Sequence, residues 1–198
     1  MIDTPSIILA SNSPRRRELL RQIGVPFSVA PADVDEDIMP GEAAETYATR
    51  VARDKARIAA ARIHSGIVIA ADTIVVLDNE ILGKPADSAD AARMLEKLSG
   101  RVHRVITAVV IKDAGTGREL VKSAETRVWF RNLSPVEIAF YVESGEPLDK
   151  AGAYGIQERG ALLVDRIEGC FYNVVGLPLS LLGELLQEMG FNIWSRQE

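Results

Sequence analysis

The sequence predicts a mixed α/β fold, a central sheet flanked by helices, with two lobes around a cleft. Short apolar runs of strand length alternate with helix-start and helix-stop signals along the chain, which calls for sheet and helices in one unit. Two long strand patterns are joined directly by Ala114-Gly115-Thr116-Gly117. Such a link makes an antiparallel hairpin, so the sheet is not the purely parallel kind. Acidic and basic loops also alternate at the strand ends, as a cleft between two lobes requires.

Taken in order, Ser6 to Ala10 is a buried strand. Ser13 as N-cap and Pro14 at the first helical position then open a helix that Gly24 stops. Pro31 to Gly41 is an acidic loop carrying Asp33, Asp35, Glu36 and Asp37, and a long helix follows from Ala44 to His64. Strand is expected from Ile67 to Ala71 and from Ile74 to Leu77, on either side of Asp72-Thr73, with a turn at Asp78-Asn79. Ser88 to Leu98 is helical, and Val102 to Lys112 and Glu119 to Arg131 form the hairpin. Ser134-Pro135 starts another helix, which ends at Gly145, and Gly152 to Gly160 is loop. Short strands are expected over Leu162 to Ile167 and Phe171 to Val175, before a last helix from Pro178 to Met189.

A chain of 198 residues with 47% apolar side chains suffices for one domain spanning 1–198 as two lobes sharing a core. Its net charge of −5 speaks against nucleic acid as a partner. One cysteine, Cys170, leaves no intrachain disulfide, and two histidines, His64 and His103, suggest no local metal-ligand pair. The start Met1-Ile2-Asp3-Thr4-Pro5 lacks a secretory pattern, and no apolar run nears the ~18 residues of a membrane span. A cytoplasmic protein without membrane contact is expected.

Chemistry concentrates at a few positions. Arg15, Arg16 and Arg17 crowd a helix N-terminus, where the helix dipole favours acids. With the hydroxyls of Ser11 and Ser13 and the unpaired N–H groups of that turn, they make a phosphate cradle, against the alternative of a solvated basic turn paired with Glu18 and other acids. Asp72 interrupts an apolar run and reads as a metal ligand or a general base for water, or else as a strand end. Lys55 falls within the apolar stripe of its helix beside Val51, Ile58 and Ala59, facing an anion or snorkelling to solvent. Lys84 stands between Gly83 and Pro85, a frame that can aim it at phosphate, though alone it reads as an ordinary solvated loop lysine. Glu36 is one of four loop carboxylates able to ligate Mg²⁺ or to stay a solvated loop charge. Cys170 and His103 read as structural. The ensemble fits phosphoester chemistry on a small phosphorylated ligand.

At these residues the chain resembles a known family. Leu9-Ala10-Ser11-Asn12-Ser13-Pro14-Arg15-Arg16-Arg17-Glu18-Leu19-Leu20 is similar to the opening signature of the Maf nucleoside triphosphate pyrophosphatases. The similarity continues through Ala71-Asp72-Thr73, Ile81-Leu82-Gly83-Lys84-Pro85 and Leu98-Ser99-Gly100. It includes Asp149 to Gln157 and Gly169 to Pro178. The resemblance implies hydrolysis of a nucleoside triphosphate between its α and β phosphates, with a divalent cation, Mg²⁺ or Mn²⁺, around an active-site cleft. It implies Asp72 as proton acceptor, Arg16, Glu36, Lys55 and Lys84 in catalysis or in phosphate and metal handling, and Glu36 with Asp72 at the metal. Arg15, Thr73 and Gln157 match the positions tied to base choice and resemble the dTTP/UTP branch. The amide of Gln157 suits the O4 and N3–H edge of uracil or thymine. Alternatives are the 7-methyl-GTP branch and a nucleotide-binding regulator of cell division; the family resemblance also admits a homodimer and a housecleaning role on modified nucleotides.

Overall fold

The computed structural model describes residues 5–194; the expectations that fall on Met1 to Thr4, and on the ends of a 1–198 domain, lie outside the described residues. Ile7–Leu9 (β1), Pro14–Gln22 (α1) and Ser28–Val29 (β2) open the chain, followed by Ala44–Ala60 (α2), Ile67–Leu77 (β3), Glu80–Leu82 (β4) and Ser88–Leu98 (α3). Val102–Asp113 (β5) and Glu119–Phe130 (β6) form the expected hairpin, then Pro135–Glu143 (α4). Three 3₁₀ turns, Glu146–Asp149, Ala151–Ala153 and Glu158–Leu163, lead to Val164–Glu168 (β7), Phe171–Val175 (α5) and Leu179–Glu188 (α6). The strands make one sheet in the order β2-β1-β3-β5-β6-β7, with β4 also on β3. β1 runs parallel to β2 and β3, and every other pairing is antiparallel.

The cleft comes from a notch in this sheet. β1 pairs with Ile67, Val68 and Ile69 of β3, whereas β4 pairs with Val75, Val76 and Leu77. The stretch 70–74 between them has no strand beside it on that edge, and Asp72 and Thr73 lie in the gap. Side chains alternate along a strand. Val68, Ala70, Ile74 and Val76 therefore pack with Val51, Ala52, Ala56 and Ala59 of α2, and Asp72 shares their face. Ile67, Ile69 and Ala71 turn the other way, onto Leu19, Leu20, Leu182 and Leu186 of α1 and α6. Val75 and Leu77 meet Leu95, Leu98 and Tyr141 of α3 and α4. Thr73 sits on that second face, at the junction of its two cores, where the notch opens. No described helix is long and apolar enough to cross a membrane.

Four expectations need correction. β3 is one unbroken strand through Asp72-Thr73, because β5 supplies an antiparallel partner to both residues. The long helix stops at Ala60, four residues early. Arg62 N–H and Ile63 N–H reach back only three residues, to Ala59 and Ala60, a tightened last turn. Phe171 to Val175 is helix, because a short apolar run does not settle its own period. Gly169 (φ 128°) and Gly176 (φ 124°) turn the chain at its two ends, and the helix aims Asn173 at the sheet. The strand expected over Leu162 to Ile167 begins two residues later, at Val164, because the preceding 3₁₀ turn runs through Leu163.

Candidate active site

One cavity of about 630 Å³ opens at the notch, and its wall includes Ser11, Ser13, Arg15, Arg16, Glu36, Lys55, Asp72, Thr73, Lys84 and Gln157. These ten residues thus converge on one place, while Arg17, the third arginine of the turn, is not in the wall. A second hollow along 144–162 gathers Glu146, Asp149, Lys150, Glu158 and Arg159 and none of those ten; its first four also line the site cavity.

The centre is an ion-paired trio. Lys55 Nζ lies 2.8 Å from Asp72 Oδ1 and 2.7 Å from Glu36 Oε1. The lysine does not snorkel: only 12% of its side chain is exposed, against 11% for Asp72 and 46% for Glu36. Burial pushes the Asp72 carboxyl above its ordinary value, against the pull of Lys55 and Arg16. Burial also acts on Glu36, but there the Lys55 hydrogen bond and the charges of Lys55, Lys84 and Arg16 together win and hold it below the usual range. Two carboxylates in one site are thereby pushed in opposite directions, the arrangement that separates acid–base from purely electrostatic roles. Of the four loop carboxylates, Glu36 reaches Lys55 and Asp33 also lines the cavity, whereas Asp35 accepts from Asp37 N–H at 2.8 Å in the exposed loop.

The basic turn lies beside the trio, at the end of β1 and next to Thr73. The Ser13 hydroxyl accepts from Arg16 N–H at 3.4 Å, and the Ser11 hydroxyl accepts from Ser13 N–H and Arg16 Nη1, each at 3.2 Å. Both hydroxyls therefore order the turn, and each keeps its own O–H to donate. No acid lies in the first turn of α1. Glu18 pairs with Arg21 at 3.6 Å rather than with the three arginines, so the acid that meets the turn is Asp149 and not Glu18. Arg17 donates to the carbonyl of Asn12, and Arg15 reaches Asp149 Oδ2 at 3.4 Å. Arg16 is held on neutral oxygens: Nε donates to Gly176 O at 2.8 Å and Nη2 to Thr73 Oγ1 at 3.0 Å. Burial lowers the pKa of its guanidinium and Asp72 raises it again; an arginine stays charged throughout.

Thr73 is bound inward. Its hydroxyl lies 2.9 Å from that of Thr107, its cross-strand partner, and Thr107 Oγ1 lies 3.0 Å from the carbonyl of Asn173. With the Thr107 proton on Asn173 O, the Thr73 proton goes to Thr107, leaving Thr73 as the acceptor for Arg16. Thr107, Asn173 and the Gly176 carbonyl are the residues that sequence reasoning missed. A polar side chain recurring inside the apolar patterns Val105 to Val110 and Phe171 to Val175 was the available signal.

Lys84 and Gln157 complete the wall. The Lys84 ammonium makes no hydrogen bond or ion pair among the described residues, yet its charge acts on Glu36. His103 and Cys170 stay structural: His103 is buried with Nε2 2.7 Å from Tyr154 Oη, and Cys170 is a half-buried helix cap. The described residues gather no group of three or more His, Cys, Asp or Glu side chains able to hold a metal alone. Two convergent carboxylates do fit a hard cation of the Mg²⁺ kind, which takes one or two carboxylates plus substrate phosphates.

A family model described as Maf-like protein matches residues 6–189. The chain belongs to the Maf family. The dTTP/UTP pyrophosphatase of Syntrophomonas wolfei is 52% identical, over 93% of this chain and 98% of its own length. The dTTP/UTP pyrophosphatase of Moorella thermoacetica is 50% identical, over 96% and 98%. The fold extends beyond the Maf family. The Ham1 protein of Staphylococcus aureus shares 20% identity at a TM-score of 0.54, covering 93% of this chain and 99% of that one.

Proposed function

We propose that this Maf chain hydrolyses dTTP and UTP to the monophosphate and pyrophosphate. The observation that carries the reading is the Lys55-bridged pair Asp72 and Glu36, gathered in one cleft with the arginine turn and Gln157. The cations accept the triphosphate, the carboxylates activate water, and a neutral amide meets the base.

Arg16, Arg15 and Lys84 take the phosphate oxygens, with the Ser11 and Ser13 hydroxyls as further donors. Arg16 is positioned by Thr73, whose influence on base choice would then be indirect. Asp72, buried and raised in pKa, accepts a proton from the water that attacks the α phosphorus; the α–β bridging oxygen departs with pyrophosphate. Lys55 keeps Asp72 ionised and oriented for that step. Glu36 and Asp72 would hold a divalent cation, Mg²⁺ or Mn²⁺, which when bound neutralises polyphosphate charge. Gln157 both donates and accepts, matching the O4 and N3–H edge of uracil and thymine. The two lobes work as one domain, and the housecleaning role follows if modified pyrimidine nucleotides enter the same cleft.

Rates on dTTP, UTP, CTP, ATP, GTP and 7-methyl-GTP with Mg²⁺ test the reading. Highest kcat/KM on dTTP and UTP is expected; preference for 7-methyl-GTP would overturn the base assignment, and hydrolysis of none would overturn the enzyme.

A further inference from the structure

Gln157 stands at the tip of a turn whose ends touch. A Cβ at Gly160 would overlap the carbonyl oxygen of Gly155 and come within 2.7 Å of the Tyr141 hydroxyl, so the two ends meet with no room for a methyl group. Just after the tip, Glu158 adopts φ 55°, a left-handed conformation that costs a non-glycine residue about 1 kcal/mol. Surroundings must impose such a conformation.

Two side chains close the turn from behind. Gly155 N–H donates to Tyr141 Oη at 3.1 Å, and the Tyr141 hydroxyl donates to Glu146 Oε1 at 2.9 Å. The same carboxylate accepts from Gly160 N–H through Oε1 and from Arg159 N–H through Oε2, both at 3.2 Å. Backbone groups on both sides of Gln157 are thus tied to one tyrosine–carboxylate pair. Tyr141 is only 4% exposed, comes from α4, and is not part of the cleft wall, whereas Glu146 is half-buried and lines it.

We infer that Tyr141 and Glu146 are positioning residues for base selection, fixing the turn from Gly155 to Gly160 so that the Gln157 amide meets the base edge at one angle. This rests on the reading of Gln157 as the base-facing residue. A hydrogen-bonding side chain discriminates only while it is held. Released, it rotates to suit either the O4 of uracil or the amino group of cytosine, and the distinction fades.

The test is a double-mutant cycle read as the ratio of kcat/KM for UTP over CTP, in Tyr141→Phe, Gln157→Ala and the double variant. Tyr141→Phe is expected to lower the ratio about tenfold, the equivalent of one hydrogen bond, with kcat on UTP near that of the parent. Adding it to Gln157→Ala should lower the ratio no further. Should Tyr141→Phe fail to fold, Glu146→Gln, which sets an NH₂ against one of the N–H groups, carries the same measurement. A ratio lowered by Gln157→Ala but unchanged in the folded positioning variants overturns the inference, and would leave the pair a purely structural tie seen only in thermal melts. A ratio unchanged in Gln157→Ala overturns the base reading itself, and this inference with it.

Discussion

Replacing Lys55 by methionine removes the ammonium from between Asp72 and Glu36 while keeping an apolar stem of similar length. Glu36 is nearly half exposed, so solvent discounts its share of the ion pair to ~0–1 kcal/mol. Asp72 is the costly partner. At 2.8 Å the Coulomb attraction is ~6 kcal/mol at an effective dielectric of ~20, against which the desolvation of both ions must be set. Breaking a buried pair from one side leaves an orphan charge and costs about 3 kcal/mol, and that loss is expected at pH 8, read from urea unfolding. It should shrink as the pH falls, because a protonated Asp72 leaves no orphan charge. The same logic fixes the activity profile. Asp72 must be ionised to accept a proton, and burial already raises its pKa above the ordinary 3.8, so kcat/KM of the parent falls with decreasing pH on a limb above that value. Without Lys55 the limb moves further up, since the attraction of that neighbouring cation holds the Asp72 carboxyl down. Equal stability loss at pH 8 and pH 5, together with an unshifted acid limb, would refute this reasoning.

Thr107→Val keeps the shape of a fully buried side chain but leaves the Asn173 carbonyl and the Thr73 hydroxyl without it, at a cost of ~1–3 kcal/mol in urea unfolding. Its kcat/KM should fall through loosened Arg16, and Thr107→Ser, which restores the hydroxyl, should recover both properties. Burial pushes the His103 imidazole down to about 4 from an ordinary 6.5. Between these values the unfolded chain binds the extra proton, so stability is full above pH 6.5 and is lost as the pH falls toward 4. His103→Gln should flatten that slope of the unfolding midpoint against pH. Gln157→Glu removes the amide donor and places a charge at the base edge, so the preference for UTP over other bases should fall at least tenfold in kcat/KM, by the usual worth of a specific hydrogen bond.

How much was legible depends on the range of the physics. The first helix announced itself through Ser13 and Pro14, and the hairpin through its glycine turn, because caps and turns are local chemistry. Asp72 and the three arginines stood out as violations of burial and of helix polarity, and such violations sit where function overrides local preference. Lys55 was ambiguous from sequence. Its stripe position showed that its stem is covered, but whether its head turns to solvent or to Asp72 depends on where β3 lies, seventeen residues on. The helix at Phe171 to Val175 was misread for the same reason: what selects it is the reach of Asn173 to Val105 O and Thr126 Oγ1, contacts from distant strands. The chain from Arg16 through Thr73 and Thr107 exists only once β3 and β5 are paired in register.

The central claim is that a water activated at Asp72 splits the α–β linkage of a pyrimidine triphosphate. Phosphorus NMR of the products from UTP and Mg²⁺, with the parent protein and with Asp72→Asn, tests it most directly. UMP and pyrophosphate from the parent, with the rate lost in the variant, is the predicted result. UDP and orthophosphate from the parent, or undiminished turnover by Asp72→Asn, would contradict it.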